Sequence, residues 1–324
     1  MLTSRKFRFG VTLEDVASVD LGAQVAEAEI ATRWAERARR AQELGYATLL
    51  VPDHLGAQLA PIAALMAAAA ATHTIRLGSL VFNNDFKHPV VLAKEVATLD
   101  VLTGGRIELG LGAGWLRNEY ERAGLAFNPP AVRINRMAEG LTIMKGLFAA
   151  GPFSFSGRYY HVEGLDAQPK PLQQPHPPVL IGGGGQRVLS LAAQHADIVG
   201  INVQFRSGGL DRSVGGNVTA DSTEQKLGWI RAAAGPRFSS LELSMVMFAV
   251  ILTEHRDEAA RTVASRFGIT QEHALTGPHF LLGTTEQIVE ELLLRRDRYG
   301  ISYVVVHEDA LIPFAPVVER LADS

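Results

Sequence analysis

Cysteine is absent from this chain of 324 residues, which excludes disulfide bonds, thiolate metal ligands and a cysteine nucleophile. Long hydrophobic runs are also absent: the longest apolar stretch covers residues 59–71, contains Pro61 and is too short to cross a bilayer. The formal net charge of −3 gives no electrostatic case for binding nucleic acid or a membrane surface. Residues 1–11 lack the apolar core of a secretory signal. We therefore expect a cytoplasmic protein that binds neither nucleic acid nor membranes.

Short apolar runs alternate with longer segments of helical period along the whole chain. Most of the runs are continuously apolar, as expected for parallel strands that are covered on both faces. Eight runs are predicted strands: Phe7–Leu13, Thr48–Val51, Ile75–Phe82, Ile107–Leu111, Val179–Ile181, Ile198–Ile201, Leu243–Leu252 and Tyr303–Val306. The predicted helices are Val25–Leu44, Pro61–Thr72, Pro89–Leu102, Val132–Ala149, Gln186–His195, Thr223–Ala234, Glu258–Phe267, Thr285–Tyr299 and Phe314–Leu321.

This alternation predicts the fold class α/β, as a (β/α)8 TIM barrel that forms one domain over residues 1–324. The chain slightly exceeds the usual barrel length, so insertions are expected in the loops at the C-terminal ends of the strands. The longest are predicted at Gly151–Pro178 and Arg206–Asp221. A doubly wound open sheet is the structural alternative.

Barrel enzymes carry their reacting groups where the strands end, and a run of four glycines follows the fifth predicted strand. Residues 182–185 are all glycine, and Gln186 and Arg187 begin the next predicted helix. Bare N–H groups at a helix N-terminus form a cradle for an anion. A tight turn is the plainer reading, but four glycines exceed what one turn needs. We therefore favour phosphate binding. Arg187 stands where a dinucleotide fingerprint has its third glycine, so that motif is not matched.

Other residues at strand ends leave two readings open. Gly112 and Gly114, in the segment GLGAGW, suit either a planar ligand against the backbone or simple crowding at the barrel rim. His54 is either a proton relay or a residue that orients its own loop through Asp53. Trp115 on its own favours a core position.

Four charged side chains are interpreted as structural, and one group of possible metal ligands is not interpreted as a metal site. Glu119, Arg133, Arg136 and Glu139 are interpreted as ion pairs between loop and helix. Residues 307–309 together with residues 53–54 offer metal-binding atoms, but no ligand spacing supports a metal site. No metal is expected. The six lysines lie outside the strand cores and ends, which disfavours Schiff-base chemistry.

Taken in order, these motifs resemble the luciferase-like monooxygenase family, most closely its branch that uses the deazaflavin coenzyme F420. The resemblance runs from Phe7 to Leu321 and rests on an ordered set of segments rather than on one motif. The segments are Asp53–His54, residues 78–115, EYERAGLAF at 119–127, RINRMAEGL at 133–141, residues 169–197 and residues 281–306.

The resemblance implies where the cofactor lies. Asp53 and His54 would lie beside its ring, and Ser79 and Leu80 would form a bulge behind the ring, with a non-proline cis peptide at or next to them. Two further sets are implied: Gly112, Gly114, Trp115 and Asn118 near the ring and side chain, and Gly183, Gly184, Gly185 and Gln186 at the phosphate. Sugar-phosphate dehydrogenases of this family have a catalytic Glu where this chain has Trp115, which disfavours that substrate class.

The resemblance therefore implies an oxidoreductase, expected as a homodimer, that uses bound F420 for hydride transfer to or from a small organic substrate. His54 and Trp115 are the catalytic candidates: His54 would polarise the substrate or the ring, and Trp115 would pack on one of them. An FMN-dependent luciferase-like monooxygenase is the alternative. A flavin- or deazaflavin-binding protein without turnover is the second alternative.

Overall fold

In the computed structural model, residues 5–14, 29–204 and 216–322 are described. The strands within these residues are β1 (Arg8–Thr12), β2 (Thr48–Val51), β3 (Arg76–Ser79), β4 (Phe82–Asn83), β5 (Ile107–Gly112), β6 (Phe153–Ser156), β7 (His161–Leu165), β8 (Val179–Gly183), β9 (Ile198–Ile201), β10 (Glu242–Val246), β11 (Ala249–Leu252), β12 (Phe280–Gly283) and β13 (Ile301–His307). Eight parallel strands form a closed barrel in the order β1, β2, β3, β5, β8, β9, β10, β13. The (β/α)8 prediction is confirmed.

Helices connect successive barrel strands and cover the outside of the barrel. Their bounds are α1 (Ile30–Glu43), α2 (Pro61–Ala71), α3 (Pro89–Leu102), α4 (Arg117–Arg122), α5 (Pro130–Phe148), α6 (Gln186–His195), α7 (Ala220–Ala234), α8 (Arg256–Phe267), α9 (Gln271–Thr276), α10 (Thr285–Tyr299) and α11 (Ala315–Leu321). Local sequence explains several ends. Helix α10 begins with a reciprocal capping box between Thr284 and Gln287, and it ends at Gly300 in the left-handed conformation.

The core has two layers that follow from strand alternation. Val11, Leu49 and Ile181 point outward and are fully buried beneath the helices. Leu180 and Val305 point inward and belong to a smaller apolar cluster inside the barrel. The continuously apolar strands thus fill both layers, as their sequences predicted.

Two predicted strands are wrong in extent. The run Ile75–Phe82 divides into β3 and β4, both of which pair with β5. The run Leu243–Leu252 divides because the chain changes partners: the N–H of Met247 donates to Val305 O at 2.8 Å, and that of Phe248 donates to His279 O at 2.8 Å. Strand β11 therefore leaves the barrel and pairs with β12, a strand that the sequence did not predict.

The insertions agree in part with the prediction. Gly151–Pro178 contains the antiparallel hairpin of β6 and β7. In the predicted insertion Arg206–Asp221, residues 206–215 lie outside the described residues, and α7 already begins at Ala220. Residues 25–28 of the first predicted helix also lie outside them. A third insertion, between β10 and α10, carries β11, α8, α9 and β12, and it was not predicted.

Candidate active site

His54 lies at the C-terminal end of the barrel, directly after β2. Its Nδ1 is 2.9 Å from Glu119 Oε2, and the other oxygen of that carboxylate accepts the backbone N–H of Leu55 at 3.0 Å. A carboxylate only accepts, so a neutral His54 carries its proton on Nδ1 and keeps a lone pair on Nε2. The Trp115 ring and the imidazole make an edge-to-face contact, with their centroids 5.8 Å apart. The structure thus brings together the two catalytic candidates.

Glu119 was interpreted from the sequence as part of a structural ion pair, and its contact with His54 was missed. The two residues are 65 positions apart, and no local spacing connects them. Their contact depends on α4 lying over the end of β2, which only the closed barrel arranges. Asn118, the neighbour of Glu119 on α4, is exposed at the same rim.

Asp53 holds the neighbouring strand rather than the His54 loop. Its Oδ2 accepts the backbone N–H of Asn83 at 2.9 Å, which fixes β4 against the end of β2. Burial raises the pKa of this carboxyl above its ordinary value, although the Asn83 hydrogen bond and the charge of Lys87 oppose the shift. Asp53 is therefore a half-buried anchor below the rim.

The break between β3 and β4 lies where the resemblance implied a bulge. A non-proline cis peptide joins Leu80 and Val81, next to Ser79–Leu80, so this prediction is confirmed. The Ser79 hydroxyl donates to Val51 O at 2.8 Å, toward β2. Leu80 and Val81 are partly buried against the apolar cluster inside the barrel. They form its upper surface.

Protein contacts account for the glycines of GLGAGW. A Cβ on Gly112 would lie 2.4 Å from Val81 Cγ2. Gly114 has φ +71°, and a Cβ there would lie 1.8 Å from the Tyr120 hydroxyl. Of the two readings left open by the sequence, crowding at the rim has direct partners in the structure.

Behind this rim, a buried network fixes the end of β4. The Tyr120 hydroxyl lies 3.0 Å from Asn83 Oδ1 and 3.1 Å from Asp85 Oδ2. Arg136 donates from Nε to Asp85 Oδ1 at 2.8 Å and forms an ion pair with the other oxygen. The predicted ion pair of Arg136 between loop and helix is confirmed.

Arg133 and Glu139 contact the backbone, contrary to the ion pairs interpreted from the sequence. Arg133 donates to Ala113 O at 3.0 Å and also to Asn128 O. Glu139 accepts backbone N–H groups of the β6–β7 hairpin, from Arg158 and Tyr159, each at 2.9 Å. Free carbonyls and amides in loops compete for such side chains, and their positions cannot be read from charge alone.

The glycine run occupies the end of β8 and the start of α6. Gly185 is the residue before the helix, no side chain of the described residues caps it, and Gln186 is exposed. Gly184 is buried, and a Cβ there would lie 2.2 Å from the backbone of Val203. Gly183 packs against Val188, whereas a Cβ on Gly182 would have no atom of the described residues nearer than 4.0 Å. The run therefore combines tight packing at its centre with an uncapped helix N-terminus.

A second histidine at the mouth was not singled out as catalytic. His307 Nδ1 contacts the carboxylate of Glu14, which also accepts the Thr12 hydroxyl at 3.2 Å. Although burial opposes the shift, the bonds from His307 and Thr12 hold the pKa of Glu14 below its ordinary value. A charge interaction with His54 further lowers it, so both histidines belong to one electrostatic site. In the described part of the chain, no group of three His, Cys, Asp or Glu side chains is arranged to hold a metal ion.

Comparison with known proteins agrees with this architecture. The family model of the luciferase-like monooxygenases matches residues 7–298. The chain belongs to this family, whose members include F420-dependent and FMN-dependent oxidoreductases and monooxygenases. Within the described residues, no helix is long and apolar enough to cross a membrane.

Individual relatives use both cofactors. An F420-dependent glucose-6-phosphate dehydrogenase of Microbacterium testaceum is 33% identical over 165 residues, which cover 48% of each chain. An FMNH2-dependent dimethylsulfone monooxygenase of Pseudomonas putida is 28% identical over 189 residues, covering 58% of this chain and 48% of its own. The chain thus spans about half the length of these curated relatives. The structure of the F420-dependent tetrahydromethanopterin reductase of Methanopyrus kandleri has a TM-score of 0.73 at 19% identity, covering 98% of both chains.

Proposed function

We propose that this protein is an oxidoreductase that binds coenzyme F420 at the C-terminal end of the barrel and acts on a small organic substrate. The observation that carries the proposal is the His54–Glu119 pair, with Trp115 against it, at the rim above the Leu80–Val81 surface. A histidine with a fixed tautomer at a barrel mouth is suited to proton transfer. A residue that only orients its own loop would not need a ring nitrogen left for the substrate.

The residues present fit a phosphorylated cofactor with a flat ring. The uncapped N-terminus of α6 and the backbone of residues 183–186 offer N–H groups to a phosphate. The surface of Leu80 and Val81 gives an apolar support for a ring, next to Asp53, Gly112, Gly114 and Asn118 at the rim. When bound, F420 supplies the hydride donor or acceptor.

The side chains of this protein would then manage the proton and the position of the substrate. Glu119 holds the Nδ1–H of His54, which leaves Nε2 to take a proton from a substrate oxygen or to return it. Trp115 keeps the imidazole from rotating and covers it from water on one side. Glu119 is therefore a positioning residue, because it acts through His54.

FMN-dependent monooxygenation is the second candidate, since one relative is an FMNH2-dependent monooxygenase. Relatives of both kinds match this chain to a similar extent, so the choice of F420 rests on the resemblance of the ordered sequence motifs to the F420-dependent branch. Trp115 stands at the position implied for the catalytic Glu of sugar-phosphate dehydrogenases, so a different substrate class is proposed here. A binding protein without turnover is the remaining alternative.

The test is His54→Ala, assayed for cofactor affinity and for turnover against a panel of alcohols, aldehydes and ketones. We expect the cofactor Kd to change less than about twofold, while turnover falls by about 10²–10⁴-fold, the range for a lost acid or base. Glu119→Gln should reduce turnover by a smaller factor. His161→Ala, at an exposed position on β7, is the control. A stable His54→Ala protein with full turnover would reject the role of His54.

We further propose that the protein is a homodimer joined through α2 and α3. Helix α2 contains no charged residue, and its exposed positions are the alanines 63, 67 and 70. On the adjacent helix α3, Val91 is 50% exposed and Leu102 is 63% exposed. A helix that is apolar on all sides is usually buried, and small side chains allow a second copy to approach closely.

Light scattering after gel filtration tests this interface. Ala67→Glu should convert the dimer to a monomer, whereas Ala232→Glu, on the exposed face of α7, should leave it dimeric. A wild-type monomer, or a dimer that Ala67→Glu leaves intact, would contradict the proposal. The cytoplasmic location stays a prediction that cell fractionation can test.

A further inference from the structure

A cavity lies apart from the residues that are assigned to the cofactor. It has a volume of about 340 Å³ and opens between the segment that follows β4, the loop from α4 to α5, and the β6–β7 hairpin. Pockets for small organic ligands begin at about this size. None of the residues proposed for F420 or for catalysis lines it.

Two residues of the lining have a hydrogen-bond donor that their contacts within the protein do not use. His88 Nδ1 accepts the backbone N–H of Val90 at 3.3 Å, so in the neutral ring the proton is on Nε2, which remains to donate. The Tyr160 hydroxyl accepts from Asn84 Nδ2 at 3.3 Å, which leaves its own hydrogen available. The two rings stand edge to face at 5.2 Å, and this contact holds the donors side by side.

The cationic side chains that line the cavity favour an anion. Lys87 and Arg136 are positive and Asp85 is negative, and Glu95 just outside the lining balances the remaining charge, so the cavity offers cationic donors rather than a net charge. Asp85 is fully engaged, since Arg136 bonds one oxygen at 2.8 Å and Tyr120 lies 3.1 Å from the other. Lys87 is paired at 2.6 Å with Glu95, which does not line the cavity, and its ammonium keeps further N–H groups.

One wall is apolar. Phe86, Leu125 and Ala126 contribute apolar side chains to the lining. An inorganic anion would leave this wall without a partner, whereas the hydrocarbon part of an organic acid would cover it. The combination of donors, two of them on cationic side chains, with apolar lining residues matches an acceptor-rich head on a short carbon chain.

We propose that this cavity is a second ligand site, for a small organic carboxylate. Lys87, His88 and Tyr160 bind the carboxylate, and Phe86 and Leu125 pack against its carbon chain. The site shares no residue with the proposed cofactor site, so the proposal does not rest on the proposed function. It gives the protein a way to bind a small acid whether or not the barrel mouth is occupied.

Titration calorimetry with glutarate tests the site, with inorganic phosphate as a second probe. We expect glutarate to bind one site per chain, equally in the apo protein and in the protein saturated with cofactor. Phosphate should bind at least tenfold more weakly, because it leaves the apolar wall uncovered. Binding of glutarate that is lost when cofactor is added would place it at the barrel mouth and overturn the proposal.

Three variants locate the probe. Lys87→Met and Tyr160→Phe each remove one donor and should weaken glutarate by about tenfold, or 1.4 kcal/mol. His88→Asn keeps an acceptor for the Val90 N–H but removes the Nε2 donor, and it should act similarly. Lys94→Met removes the same charge from an exposed position on α3 and should change the Kd less than twofold.

Two results would overturn the assignment. One is wild-type protein that binds no glutarate at about 100-fold its own concentration and up to the millimolar range. The other is binding that all three cavity variants leave unchanged while each stays folded by circular dichroism. In protein saturated with cofactor, which occupies the proposed phosphate site at residues 183–186, phosphate that binds as tightly as glutarate would contradict the organic character of the ligand.

Discussion

At the N-terminal end of the barrel interior, Arg8 pairs with Glu108 and Glu242 and lies 3.9 Å over the Tyr303 ring. Arg76 also donates to Glu108 at 2.7 Å, so each buried charge there has a protein partner. At the C-terminal end, Glu119 contacts only Nδ1 of the two ring nitrogens of His54, and a helix that no described side chain caps begins after a run of glycines.

We infer that the N-terminal end stabilises the barrel, and the proposed chemistry takes place at the C-terminal end. Burial opposes a rise in the pKa of Arg8, but the nearby carboxylates raise it above its ordinary value. Arg8 therefore stays charged and keeps its ion pairs with Glu108 and Glu242. Unused hydrogen-bonding groups at the opposite end cost stability, and a bound ligand would satisfy them. Changes at the two ends should therefore separate folding from binding.

We call the N-terminal end of the barrel, with Arg8 and Glu108, the closed end, and the C-terminal end, with His54, the open end. The largest effect is expected at the closed end. Glu108→Gln leaves Arg76 and Arg8 without their shared carboxylate inside the barrel, which should lower the free energy of unfolding by about 3–5 kcal/mol. Urea denaturation measures this loss. The exposed pair of Arg40 and Glu43 is the control, and Glu43→Gln should change stability by less than about 0.5 kcal/mol. Equal effects of the two variants would contradict a stabilising closed end.

The next effect depends on pH and arises beside the open end. Burial and the charge of Lys226 lower the pKa of His279 to about 3, and its Nδ1 contacts Val246 O at the end of β10. The unfolded state binds this proton below pH 6.5 and the folded state only near pH 3, so stability falls as pH decreases. At pH 4.5 this loss is about 3 kcal/mol.

Comparing His279→Gln with wild type isolates the contribution of His279, because the carboxyl groups that titrate in this pH range are the same in both proteins. The variant should lose less stability than wild type between pH 7 and pH 4.5. His161→Gln, at an exposed position, should follow the wild-type curve. Parallel curves for His279→Gln and wild type would show that His279 charges freely in the folded protein.

A smaller effect separates backbone strain from crowding at the open end. Gly114 and Gly164 both have positive φ, +71° and +56°, but only Gly114 has a neighbour where a Cβ would lie. Gly164→Ala should cost about 1 kcal/mol from its backbone conformation alone. Gly114→Ala should cost about 1–3 kcal/mol more, because the methyl displaces Tyr120 from Asn83 and Asp85. Thermal unfolding of both variants tests the difference.

The smallest effect concerns the glycine run. Among the described residues, the nearest atom to a Cβ on Gly185 is Gln204 Nε2 at 3.3 Å, at the end of a long side chain, so Gly185→Val should fold and weaken cofactor binding by about tenfold, or 1.4 kcal/mol. Gly184→Val should instead destabilise the protein, because it collides with the Val203 backbone. Unchanged cofactor affinity in a folded Gly185→Val protein would remove phosphate binding from this loop.

Periodicity predicted the barrel because outward and inward layers both require apolar strands. It could not predict where β11 departs, since residues 243–252 stay apolar while the hydrogen-bond partner changes from β13 to β12. His54, Gly114 and the glycine run were recognised at strand ends, where this fold gathers functional groups.

The partners of these residues were not predictable, because they come from distant parts of the chain. Glu119 reaches His54, and Glu14 reaches His307 across 293 positions. Likewise, Gly184 has no side chain because a Cβ there would collide with the backbone of Val203. The glycine run alone does not reveal this contact. Tertiary contacts of this kind decide whether a glycine serves a ligand or its neighbour.

Fluorescence titration of the purified apo protein with F420, and separately with FMN, tests the central assignment most directly. We expect one F420 per chain, with a Kd at least tenfold below that for FMN, and with Glu108→Gln affecting the Kd little in its folded fraction. Binding of F420 should weaken in Gly185→Val, at the open end. FMN that binds as tightly as F420 would contradict the choice of cofactor, and saturation by neither would contradict a cofactor site at the C-terminal end of the barrel.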